Sequence, residues 1–110
     1  MTGFPNMPGM MKQIQKMQEK IAKVQEELEQ KSVVGESGGG VVKVTANGKQ
    51  LIVRIQIDKE LGSDMEMLED LVVAATNKAL EEAGKLAREE MSKATSGMIP
   101  NIPGLNLPGF

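Results

Sequence analysis

Histidine, cysteine, tryptophan and tyrosine are all absent from this chain. No Ser-His-Asp or Cys-His nucleophile, zinc site, c-type haem or CxxC redox pair can therefore be assembled. Disulfide stapling is excluded as well. Glycines, carboxylates and lysines are left to do chemistry. The cluster Gly35, Gly38, Gly39 and Gly40 suggests a phosphate loop, but neither GK[ST] nor a G-x-G-x-x-G opening a helix accompanies it. A flexible or bulged strand connection is the better reading. Asp58, Glu60, Asp64, Glu66 and Glu69 resemble the start of a calcium loop, yet Gly62 falls one place early and the D-x-[DN]-x-[DN]-G start is missing. Capping of a following helix explains these acids better. Paired carboxylates for glycoside chemistry lack an aromatic sugar platform. No catalytic residue, metal site, cofactor or small-molecule substrate is expected, and the chain reads as a binding protein rather than an enzyme.

The lysines carry more information. Lys12, Lys16, Lys20 and Lys23 face only Glu19 within residues 1–25, whereas residues 58–70 hold one lysine against six acids. Three further cations, Lys43, Lys49 and Arg54, lie in residues 41–57. On a helix the four early lysines fall within about 80° of one another, on a different side from the apolar positions. Such a strip can contact duplex phosphates even on a chain whose formal net charge is −2. Lysines on a solvated Gln/Lys/Glu-rich helix give the same row, so spacing alone leaves both readings open. Gln13, Gln15, Gln18 and Gln25 can reach base edges but are equally ordinary helix formers. With only Phe4 and Phe110 as aromatics, a base-stacking platform for single strands or RNA is disfavoured. Duplex DNA held by its backbone is the consistent form of nucleic-acid partner.

The elements that would position these groups follow from periodicity. Met10, Ile14, Met17, Ile21, Val24 and Leu28 alternate spacings of four and three, the pattern of a heptad seam. This predicts a helix from about Met7 to Lys31. The seam is short, so an amphipathic helix laid on another element is preferred to a free coiled coil. VVKVTANGKQLIVRIQID reads as a hairpin about Asn47-Gly48, with Val44 opposite Leu51 and Val42 opposite Val53. Val42, Val44, Leu51, Val53, Ile55 and Ile57 then share one face, and Ile52 is an apolar exception on the other. Ser32 to Ser37 adds a third, irregular strand. Ser63 with Glu66 fits a capping box opening a second helix from about Asp64 to Thr95. Leu68, Leu71, Val72, Ala75, Ala79, Leu86 and Ala87 mark its apolar stripe, and Gly97 is a plausible terminator.

All five prolines lie near the two ends. Residues 1–9 are thus expected to be a flexible N-terminal tail, 10–96 a single helix–sheet–helix unit, and 97–110 an apolar Pro/Gly-containing tail. No secretory signal or span of ~20 apolar residues is evident, so a cytoplasmic protein without membrane contact is expected. Two long helices, a small sheet and an aliphatic core make a lone monomer thinly packed, and a two-fold homodimer is the simplest remedy. Nine methionines and the tail MIPNIPGLNLPGF also suit an alternative function, a non-enzymatic adaptor binding protein partners through helix faces and tail.

The runs GESGGGVVKVTANGKQLIVRIQID and LEDLVVAATNKALEEA, with the opening MMKQIQKMQEKI and the tail GLNLPGF, resemble the YbaB/EbfC family of bacterial nucleoid-associated proteins. The resemblance covers essentially the whole chain. It implies an α+β fold of N-terminal helix, three-stranded antiparallel sheet and long C-terminal helix, in an entwined homodimer. It further implies cytoplasmic, nucleoid-located binding of double-stranded DNA with little sequence specificity, altering DNA conformation and influencing gene expression, with room for other DNA-maintenance proteins as partners. In the family DNA contact is associated with projecting helix ends that give a tweezer-like dimer. Carried onto this chain, this implicates Lys12, Lys16, Lys20 and Lys23, then Lys85, Arg88 and Lys93. Ile14, Met17, Ile21, Val24, Leu28, Leu68, Leu71, Val72, Ala75 and Asn77 are expected at the core or dimer interface, Asn77 as a buried amide bonded across subunits. Where the family commonly has Pro after the Asp closing the last strand, this chain has Lys59.

Overall fold

A computed structural model describes residues 7–96. Helix α1 (Met7–Gln30) leads into strand β1 (Ser32–Ser37), followed by β2 (Val42–Asn47), β3 (Ile52–Ile57) and helix α2 (Met65–Thr95). The strands form one antiparallel sheet in the order β1-β2-β3, so β1 and β3 are both edges. This is the α+β helix–sheet–helix arrangement expected from the sequence. α1 begins at Met7, inside the stretch assigned to the N-terminal tail. Gly97, expected to terminate α2, and the 97–110 tail lie outside the described residues.

β1 is more regular than expected, pairing from Ser32 opposite Asn47 to Ser37 opposite Val42. The glycine cluster is indeed a strand connection. Gly38, Gly39 and Gly40 have φ of 61°, 73° and 97°, a left-handed run that L side chains resist.

The β2–β3 register differs from the expected one. Val44 lies opposite Ile55 and Val42 opposite Ile57, not opposite Leu51 and Val53. Instead of a two-residue turn, Asn47 and Leu51 close a longer loop, the Asn47 amide donating to the Leu51 carbonyl at 2.9 Å. The Asn47 side-chain oxygen accepts from the amides of Lys49 (2.9 Å) and Leu51 (3.2 Å), and Gln50 takes a φ of 62°. Side-chain capping by Asn47 thus outcompetes the tight Asn-Gly turn. The shift is even in residues, so Ile55 and Ile57 stay on the face of Val42 and Val44. An irregularity at Thr45/Ala46 then sets Ile52 opposite Ala46, reversing the faces expected for Ile52 and Val53.

α2 crosses the sheet over β1 and β2. Its row Ala75, Ala79 and Ala83 meets Val42, Val44 and Ala46, all fully buried. Full burial of Val42 and Val44 contributes about 1.5–3 kcal/mol each. The alanines let the helix approach closely: a Cβ on Gly35 would run into the Ala75 carbonyl oxygen and the Ala79 nitrogen. Ser37 at the end of β1 donates its hydroxyl to the Leu71 carbonyl at 2.6 Å. Asp64, rather than the expected Ser63, caps α2, its carboxylate accepting from the Met67 amide at 3.1 Å.

This core covers only part of the apolar surface. Ile55 and Ile57 on β3 remain 46% and 44% exposed. The radius of gyration is 20.5 Å and the longest dimension 78 Å. A compact chain of this size would have a radius of about 13 Å.

Candidate nucleic-acid interface

The geometry of α1 is set at its C-terminal end. Val24 and Leu28 are buried, and the Lys31 ammonium pairs with the Glu90 carboxylate of α2 at 3.2 Å. Burial then fades toward the N-terminus. Met17 and Ile21 are half-buried, while Ile14 and Met10 are 56% and 57% exposed. α1 therefore projects past the sheet with part of its seam uncovered.

Lys12, Lys16, Lys20 and Lys23 all lie on this projection and all are exposed. They span about 16 Å of helix axis, and their row is rotated about 120° from the seam. Lys16, Glu19, Lys20 and Lys23 border one shallow, open depression. Among the described residues none of the four lysines enters an ion pair, so each presents its full charge to solvent. Ammonium groups in a row, hydrated and without carboxylate partners, suit contact with a polyanionic backbone rather than recognition of a small ligand.

The cations of α2 are arranged differently. Lys85 pairs with Glu82 at 3.5 Å and Lys93 with Glu90 at 4.0 Å, each on the same helix. Arg88 is exposed, but Glu89 and Glu90 follow it directly. This end of the helix carries mixed charge, so its cations are less available than those of α1. Exposed pairs of this kind are weak and exchange readily.

The expected core and interface residues divide into two groups. Leu68, Leu71 and Val72 pack against the buried cluster that includes Ala75, and Val24 and Leu28 are buried between the helices. Met17 and Ile21 are only partly covered and Ile14 is exposed. Asn77 is also exposed, so a single chain does not bury its amide. The acids after the hairpin serve local structure: Asp58 accepts from the Glu60 amide at 3.0 Å, as Asp64 does from Met67. Gly35, grouped by its sequence with the strand connection, instead lies inside β1 at a core-facing position, where a glycine signals close backbone approach. No helix among the described residues is long and apolar enough to cross a membrane.

Comparison with known proteins agrees with this geometry. The YbaB/EbfC DNA-binding family model matches residues 3–98. A nucleoid-associated protein of Chlorobium phaeobacteroides is 53% identical over 97 residues, covering 88% of this chain and 87% of the relative. One from Caldanaerobacter subterraneus subsp. tengcongensis is 53% identical over 108 residues, covering 94% and 96%. The crystal structure of an uncharacterized protein from Helicobacter pylori has a TM-score of 0.71 at 24% identity, covering 88% of this chain and all of that one. That last likeness speaks for the fold alone. With both helices and the whole sheet inside the family match, and relatives half-identical over nearly their full length, the chain belongs to the YbaB/EbfC DNA-binding family.

Proposed function

We propose that this protein is a non-enzymatic homodimer that binds duplex DNA through its phosphate backbone with little sequence specificity. In doing so it alters DNA conformation, helps to organise the nucleoid and influences gene expression. The observation that carries the reading is the row Lys12, Lys16, Lys20 and Lys23, exposed and unpaired among the described residues on a projecting helix. Its family membership and the nucleoid-associated names of its relatives supply the nature of the polyanion. Counterion release would provide most of the affinity, because ammonium groups neutralise phosphates without reading bases. Lys85, Arg88 and Lys93 act as secondary contacts on the same reading.

The uncovered apolar surface supports the dimer. Among the described residues nothing covers Ile14 or the Ile55–Ile57 face of β3, a second chain would bury them, and two-fold pairing would set two lysine rows on one particle. The test is a gel-shift series with unrelated duplexes from low to physiological salt. Binding should weaken steeply with salt, be similar across sequences, and vanish in the Lys12→Glu/Lys16→Glu/Lys20→Glu/Lys23→Glu chain while the light-scattering mass stays that of the dimer. Affinity that is flat across salt, or unchanged in the variant, would sink the reading.

A further inference from the structure

We infer that the outward face of the sheet is a second contact surface for the phosphate backbone of duplex DNA, separate from the α1 lysines, so that one dimer holds two duplex segments at once. The inference rests on the duplex-binding reading above and adds a site to it. α2 covers one face of the sheet over β1 and β2. The opposite face follows from the register: Glu36 on β1 is beside Lys43 on β2, which is opposite Gln56, while Thr45 is opposite Arg54. No acidic residue occurs from Val41 to Ile57, and Lys49 adds a third cation at the turn.

Lys43 and Arg54 are diagonal neighbours across β2 and β3, a separation of about 7–8 Å between backbones. Arg54 brings a planar fork suited to phosphate oxygens, and the Thr45 hydroxyl and Gln56 amide add neutral donors. Two acids border this face: Asp58, just past β3 beside Lys43 and Gln56, already accepts from the Glu60 amide at 3.0 Å, and Glu36 is weakly engaged. The Glu36 carboxylate lies 3.9 Å from the Lys43 ammonium, with both side chains about half exposed, so a phosphate can take its place. Among the described residues no apolar body fills the face, whose large hydrophobes are Val34 on β1 and Val53 at the irregularity of β3, set apart by β2. A polar, cationic, uncovered sheet face of this kind suits a hydrated polyanion and not a protein core.

Charge also separates this surface from the first. Glu26, Glu27 and Glu29 follow the lysines along α1, before the point where the helix ends against the hairpin turn. At about 100° per residue Glu27 falls within the lysine arc and Glu26 at its border, while Glu29 lies on the far side. A single continuous track would therefore place two carboxylates against the same backbone. Two tracks divided by an acidic collar avoid that repulsion, which points to two duplex segments rather than one.

The test compares capture of a second duplex with binding of a first. Full-length protein is loaded at saturation on an immobilised duplex, and retention of a labelled free duplex of unrelated sequence is measured. The probe variant is Lys43→Gln/Lys49→Gln/Arg54→Gln, which neutralises the face without reversing it; light scattering and circular dichroism check its dimer and fold. The wild type should retain the second duplex. The variant should lose retention about tenfold or more while its single-duplex affinity at low salt stays within about threefold, since the α1 contacts persist. Undiminished retention in the variant would overturn the inference by assigning capture to the two α1 rows. Parallel loss of single-duplex binding would overturn it by making the face part of one track. A wild-type protein that binds one duplex but never retains a second overturns this inference alone; one that binds no duplex overturns both readings.

Discussion

The amide of Gly48, in the β2–β3 turn, donates to the Leu28 carbonyl of α1 at 2.8 Å. It also reaches the carbonyl of Lys31, the residue just past the helix, at 3.0 Å, so one turn amide is shared between two carbonyls at the end of α1. This contact fixes where α1 leaves the sheet, and therefore where its lysines are held.

Gly48→Ala should loosen that joint. The added Cβ would come within 2.6 Å of a Leu28 methyl group and 2.7 Å of its carbonyl oxygen. We expect a loss of about 1–3 kcal/mol in urea unfolding, the usual range for overpacking. Unchanged stability would show that the turn shifts without cost.

Gly35→Ala should act on the other side of the core. Here the obstacle is the α2 backbone at Ala75 and Ala79, which cannot rotate away as a side chain can. A loss of about 3 kcal/mol or more is expected in the same measurement, exceeding that of Gly48→Ala. The reverse order would mean that α2 can slide off β1.

Asp64→Ala should cost about 1 kcal/mol, because the Met67 amide loses its acceptor, whereas Ser63→Ala should stay within about 0.5 kcal/mol. Equal losses would restore Ser63 as the cap.

Ile55→Asp probes the dimer. If β3 lies in the interface, a charge there goes unpaired on association, and light scattering should report half the wild-type mass. Wild-type mass would leave β3 outside the interface.

Neutralising Lys12, Lys16, Lys20 and Lys23 to Gln should reduce the slope of log K against log salt by about 3–4 per protomer, since each phosphate contact contributes about 0.9. A drop near one would mean that a single lysine makes the contact.

The helices were legible because their signals are local and redundant. The Met10-to-Leu28 seam falls within three residues of both ends of α1, and the acids before α2 place its start to within one. The hairpin register was less so. Asn47-Gly48 has the composition of a two-residue turn, and nothing local reveals that the Asn47 side chain caps two amides while Gln50 turns left-handed. Choosing Asp64 over Ser63 depends in the same way on the approach of the chain from the Lys59–Leu61 turn. The lysine row was visible as spacing. That its helix projects beyond the core depends on where α2 ends, a tertiary fact with no mark in the row itself.

The projecting part of α1 has one more consequence. Helices of about 12–15 residues are marginal in water unless something packs on them. Around Ile14 little among the described residues does so, and the exposed lysines belong to that same stretch. Their alignment thus depends on the helix being formed, and any shortfall in helicity is made up when DNA binds. Replacing exposed, uncharged Gln13 or Gln15 by Ala would raise affinity without adding a charge or a contact, making helix propensity a dial on grip.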